Sequence, residues 1–212
     1  MNRHKNSSAN NTQKINKSDN INKLIFGRVF DIMNKTDTAR KIQGDNGDRE
    51  ENDFYPTPER ATEELLKRIN INGVTWECAC GDGAISKLLP GEIISTDLID
   101  RGYGEPYVDF LKTIKKVDWI ITNPPYRYAT EFAKHAIKCA DNVALLCKIQ
   151  FLEGVKRHKF FKEYPPKKVY VFSSRLKIYK NGIKTNNSTM LCFAWFIWER
   201  DYNDKPTIEW IP

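Results

Sequence analysis

No run in this 212-residue chain is long and apolar enough to span a bilayer, and its polar first residues do not look like a secretory leader. An intracellular, cytoplasmic protein with no membrane role is expected. Histidine is scarce: His4, His135 and His158 are scattered and do not gather with the cysteines, so no metal centre is expected. Cys78, Cys80, Cys139, Cys147 and Cys192 are odd in number and lie among apolar residues, which suits reduced core thiols better than a disulfide framework. The chain also lacks the third glycine of a dinucleotide-binding turn and the Lys-Ser/Thr pair of a phosphate loop, which disfavours hydride transfer and ATP hydrolysis. No internal repeat is evident.

Positive charge is in excess. The net charge of +7 and a pI near 9.1 favour a polyanionic partner, and 40% apolar residues suffice for a real core. Lys156, Arg157, His158, Lys159, Lys162, Lys167 and Lys168 follow one another closely, interrupted by Phe160, Phe161 and Tyr164. Such a run reads equally as a phosphate-contacting surface or as a solvated helix face followed by a lysine-protected strand edge.

The most informative stretch is Asn123-Pro124-Pro125-Tyr126, directly after the apolar run 117–122. Two prolines fix φ, remove two backbone donors and make the turn stiff. A carbonyl of this turn and the side-chain oxygen of Asn123 then form a pair of acceptors suited to both protons of a planar amino group. Tyr126 adds a flat face for stacking. Upstream, the run 76–85 reads as a buried strand, a turn with Gly81 and Gly83, and a helix start, with glycine allowing close backbone approach to a ligand. Asp97 follows the apolar run 92–96 at a strand end, where an acidic group can hold ribose hydroxyls. Asp109, in 108–111, is placed to accept from an adenine amino group.

Glu77-Cys78-Ala79-Cys80-Gly81-Asp82-Gly83 followed by Asn123-Pro124-Pro125-Tyr126 resembles the S-adenosylmethionine-dependent N6-adenine DNA methyltransferases, of the small phage or bacterial kind. Asp53-Phe54-Tyr55-Pro56-Thr57-Pro58 resembles the additional cofactor motif that those enzymes place before the glycine turn, in the gamma order. The resemblance implies S-adenosylmethionine as cofactor, held by Tyr55, Thr57, Glu77, Ala79, Cys80, Gly81, Gly83, Asp97, Asp109, Phe110 and Asn123. It implies catalysis on an extruded adenine by Asn123, Pro124, Pro125 and Tyr126, with Tyr179 as a further stacking candidate. DNA is the implied partner. The tetrapeptide alone is shared with RNA and protein-glutamine methyltransferases, so RNA adenine methylation and a non-catalytic nucleic-acid-binding module remain as alternatives. Only 127–212 follow the tetrapeptide, and most of them are needed to finish the sheet. Relaxed or short-site specificity is therefore expected, with a separate specificity or partner subunit as a source of sequence reading.

The chain divides into a polar extension over 1–50 and a catalytic domain over 51–212. Within the extension, apolar residues recur at helical spacing over 21–33, and 37–52 reads as a linker. Thr57-Pro58 can cap a helix with Ala61, Leu65, Leu66 and Ile69 on its apolar stripe. Strands are expected over 74–78, 92–96, 107–109, 119–122, 143–148 and 169–173, a helix over 129–140, then strands over 190–198 and 207–211. This alternation predicts an α/β fold of the class I methyltransferase, Rossmann-like type: a mostly parallel seven-stranded sheet, helices on both faces, and an antiparallel C-terminal hairpin. A polar loop is expected over 181–189.

Overall fold

The computed structural model describes residues 54–179, 182 and 191–212. The expected extension, its helix over 21–33, the linker over 37–52 and most of the loop over 181–189 lie outside the described residues.

The first helix, α1 (Glu59–Leu66), starts from Pro58, which serves as N-cap in an extended conformation. Its Ala61 and Leu65, one turn apart, are fully buried. Strands β1 (Val74–Glu77) and β2 (Glu92–Ser95) follow, then β3 (Val117–Thr122), helix α2 (Ala129–Cys139), β4 (Ala140–Lys148), helix α3 (Val155–Glu163), and β5 (Lys168–Phe172), β6 (Phe193–Glu199) and β7 (Thr207–Ile211). The seven strands form one sheet in the order β2-β1-β3-β4-β6-β5-β7. All neighbours are parallel except β6, which runs antiparallel to both β4 and β5.

Both faces of the sheet are covered, and β6 shows the reason in its residues. Phe193, Trp195 and Ile197 pack in one layer with Ala61 and Leu65 of α1, while Ala194, Phe196 and Trp198 pack in the other with Phe132 of α2 and Phe160 of α3. A strand buried on both sides reads as an unbroken apolar run rather than an alternation. Trp195 Nε1 donates to the Ala61 carbonyl at 2.7 Å and so ties α1 to the sheet.

Three expectations are corrected. Residues 107–109 form no strand: the chain makes an isolated bridge between Thr96 and Glu105, Tyr107 takes a positive φ of 64°, and Asp109 caps a short 3-10 turn. Gly104 and Pro106 weaken a ladder there, since proline removes a donor. After the glycine turn only a 3-10 turn forms, Ser86–Leu88, because the connection to Pro90 is short and the Glu77 carboxylate takes the Ser86 N–H. The antiparallel end is present, but β6 and β7 are not adjacent. β5 lies between them, and β7 adds itself parallel to β5 on the outer edge. β6, apolar from Phe193 to Trp198, gains more from the sheet interior than an edge position would give it, which leaves the edge to β7.

The chain crosses from β1 outward to β2 and then returns to β3 on the opposite side of β1. Such a reversal opens a crevice at the carboxyl ends of the strands. The segments after β1 and β3, the glycine turn and the tetrapeptide, flank it.

Candidate active site

The glycine turn is stitched to the end of β2. Thr96 N–H donates to the Glu77 carbonyl at 2.9 Å and Cys80 N–H to the Thr96 carbonyl at 3.0 Å. Gly81 and Gly83 have φ of 57° and 80°, a region that glycine enters without strain. Asp97, 9% exposed, accepts from Gly81 N–H at 2.8 Å through Oδ2 and from Ile99 N–H at 2.9 Å through Oδ1. A carboxylate has about four acceptor positions, so each oxygen keeps capacity for a ligand hydroxyl. Glu77 turns inward: it accepts from the Ser86 N–H at 2.7 Å and from the Ser86 hydroxyl. Burial pushes its pKa up to about 8, against the lowering effect of the Ser86 hydrogen bonds and with help from the Asp97 and Asp82 charges.

The tetrapeptide meets the segment before α1. Asn123 Nδ2 donates to the Tyr55 carbonyl at 3.3 Å and to Thr57 Oγ1 at 3.1 Å. A carbonyl can only accept, so these partners set which end of the amide is nitrogen. The other end, Asn123 Oδ1, is buried and has no partner among the described residues. Thr57, expected to cap α1, turns its hydroxyl to Asn123 instead.

Tyr126 packs against Tyr55 and Phe193 with ring centroids 6.0 Å and 5.9 Å away. The Lys148 ammonium lies 4.7 Å from its ring centre. Its hydroxyl is buried, which raises its pKa above the ordinary tyrosine value. Asn123 lies near enough to oppose that shift, yet the hydroxyl reaches hydrogen-bonding geometry with no described residue. Beyond it, Tyr128 N–H donates to the Pro125 carbonyl at 2.8 Å and turns the chain into α2. The Pro124 carbonyl takes no donor from the described residues.

The structure thus brings Tyr55, Thr57, Asn123 and Tyr126 into contact, and ties Asp97, just past β2, to the turn of Gly81 and Gly83 beside the same crevice. Ala79 is half-buried in that turn. Cys80 is 3% exposed, and burial pushes its thiol up to about 12, so it is chemically quiet. Asp109 accepts from Leu111 N–H at 3.1 Å and pairs with Lys112 at 2.8 Å, which holds its pKa below the usual carboxylate value. Phe110 is 2% exposed, between Trp76 and Phe132, and supports Asp109 from the core rather than offering a ligand a face. The basic run also divides. Lys156 and Arg157 open α3 near the carboxyl ends of the strands, whereas Lys167 pairs with Glu199, and Lys168 with Glu209 at 3.5 Å, at the start of β5. A helix of nine residues carries the chain that far away.

Two rings roof the glycine turn: Phe54, from the motif before α1 but not among its expected cofactor contacts, and Tyr103, which no motif marked. A Cβ at Gly81 would collide with the Phe54 ring, and one at Gly83 with the Tyr103 ring. Arg101 lies over Phe54 at 4.6 Å and Lys87 over Tyr103 at 5.0 Å. The only local signal for Tyr103 is its place between Gly102 and Gly104. Beside this roof a cavity of about 420 Å³ is lined by Thr57, Asp82, Lys87, Lys177, Tyr179 and their neighbours. Among the described residues no group of three His, Cys, Asp or Glu could hold a metal ion, and no helix is long and apolar enough to cross a membrane.

No protein-family model matches the sequence, and no curated protein sequence does either. Solved structures do match. The modification subunit of a candidate type I restriction enzyme from Vibrio vulnificus YJ016 is similar over 99% of this chain, at 13% identity and a TM-score of 0.53, and the chain spans 54% of that subunit. A candidate RNA methyltransferase from Pyrococcus horikoshii is similar over 68% of this chain and 85% of its own, at 18% identity and a TM-score of 0.50. At such identities the likeness speaks for architecture, and the architecture is the Rossmann-like class I methyltransferase fold.

Proposed function

We propose that this chain transfers a methyl group from S-adenosylmethionine to the N6 amino group of an adenine extruded from DNA. The observation that carries this reading is the orientation of Asn123. Its nitrogen is committed to Tyr55 and Thr57, and its oxygen is a buried acceptor without a described partner. A buried acceptor left unpaired costs about 1–3 kcal/mol, and a ligand amino group would remove that cost.

The residues present fit the cofactor. Gly81 and Gly83 allow close backbone approach, Asp97 keeps acceptor capacity for a ribose, and the adjoining cavity carries both Asp82 and Lys87, which suits an amino-acid moiety bearing both charges. When bound there, S-adenosylmethionine supplies an electrophilic methyl group on a sulfonium. Asn123 Oδ1 and the Pro124 carbonyl would accept hydrogen bonds from the two amino N–H groups of the base and turn its nitrogen lone pair toward the donor; as the N–C bond forms the C–S bond breaks, a neutral thioether leaves, and the nitrogen loses one proton to solvent. Tyr126 stacks on the base, and that contact offsets part of the few kcal/mol needed to unstack it from a duplex. The described residues after the tetrapeptide mostly build α2, β4, α3 and the last three strands, and a separate specificity subunit is proposed as the reader of the flanking sequence.

The test is incorporation of labelled methyl groups into DNA and RNA offered together, followed by nucleoside mass spectrometry. N6-methyladenine in DNA, lost in Asn123→Ala, is the expected result. Methylation of RNA alone, of another base, or of neither overturns the proposal.

A further inference from the structure

Lys148 ends β4 and is half-buried, and no motif in the sequence marks it. Its ammonium lies 4.7 Å from the centre of the Tyr126 ring, which Tyr55 and Phe193 already flank. A base that stacks on Tyr126 therefore competes with this ammonium for the ring. Resting on the reading above, we propose that Lys148 is a substrate-binding residue: it covers the Tyr126 face until a nucleotide arrives, then moves aside to pair with the phosphate adjoining the extruded nucleotide.

Three considerations select the phosphate over the base. The amino nitrogen gains positive charge as its lone pair bonds to carbon, so an ammonium beside it would oppose the reaction. The compact, strongly hydrated lysine head pairs well with phosphate oxygens. Arg127, Lys156, Arg175 and Lys177 are exposed on the segments that follow β3, β4 and β5, at the same end of the sheet, where their field attracts a strand to the rim. Lys148 is the cation of this set placed against the stacking ring.

The experiment measures binding of the full chain to a fluorescent, adenine-containing single-stranded DNA across a salt series. Lys148→Gln is expected to reduce the slope of log affinity against log salt by about 0.7, the loss of one phosphate contact on a single strand. Lys148→Arg should keep the slope, as should Lys116→Gln at the amino end of β3. In turnover, Lys148→Gln should raise the KM for DNA with kcat nearly unchanged, a split that simple misfolding would not produce. An unchanged slope in Lys148→Gln, with wild-type protein that binds and methylates, overturns the assignment of Lys148 alone. Wild-type protein with no salt-dependent binding to nucleic acid overturns the methyltransferase reading and this one with it.

Discussion

Asn123 Nδ2 donates to Thr57 Oγ1 at 3.1 Å, across 66 residues of chain. This contact and its companion to the Tyr55 carbonyl join the segment before α1 to the end of β3, and they leave the amide oxygen as the end available to a ligand. In the proposed reaction Thr57 acts through Asn123 rather than on the base itself, which makes it a positioning residue.

Thr57→Val removes that acceptor while keeping shape. The amide then loses one of its two anchors, and kcat should fall about tenfold, because small misplacements of a reacting group are expensive. Cofactor affinity by calorimetry should change little, and Thr57→Ser should restore turnover. Wild-type turnover in Thr57→Val would show that the amide is oriented by other means.

Under the proposed function, Asn123→Ala deletes the buried amide oxygen that would accept from the base amino group. Losses of about 100- to 1,000-fold in kcat are usual for such groups. The cofactor dissociation constant should stay within a few-fold of wild type, since Gly81, Gly83 and Asp97 are untouched. Single-turnover assays with pre-bound cofactor check this directly, and near-normal rates would contradict the clamp.

Glu77 links stability to pH. Its folded pKa of about 8 lies above the ordinary value of 4.5, so the folded state holds the proton more tightly than the unfolded chain does. The stabilisation from that proton is complete below pH 4.5 and is lost as pH rises through about 8. Wild-type protein should therefore melt at lower temperature at pH 9 than at pH 6, and Glu77→Gln, which still accepts from Ser86, should flatten the difference. Parallel melting curves for the two proteins would remove Glu77 as the cause.

Gly104 and Gly102 make a controlled pair. Both have positive φ, 69° and 76°, but a Cβ at Gly104 would lie 2.6 Å from the Ser95 carbonyl oxygen and 2.8 Å from Cys80 Sγ, whereas one at Gly102 meets open space. Gly102→Ala should cost about 1 kcal/mol from backbone strain alone. Gly104→Ala should cost about 2–3 kcal/mol and loosen the link between β2 and the glycine turn. Denaturant midpoints for the two variants provide the comparison.

Much of the scaffold was legible because it rests on short-range patterns. The apolar runs at 92–96 and 119–122 anticipate β2 and β3 to within two residues, and Gly81, Gly83 and Asn123 stand out by residue type. Residues 107–109 misled because three apolar-flanked residues look like a strand until Gly104 and Pro106 are weighed. The basic run looked continuous because nothing in its spacing shows that α3 carries Lys167 and Lys168 to Glu199 and Glu209.

The order of residues alone settled the alternation of elements, the stiff double-proline turn and the glycine turn, since each depends on backbone freedom and periodicity within a few residues. Only folding decided that β5 would separate β6 from β7, that Phe54 and Tyr103 would roof the turn, and that Lys148 would lie over Tyr126. Those arrangements depend on which edge is open and which side chain is near after collapse, and contacts between residues so far apart leave no periodicity to read.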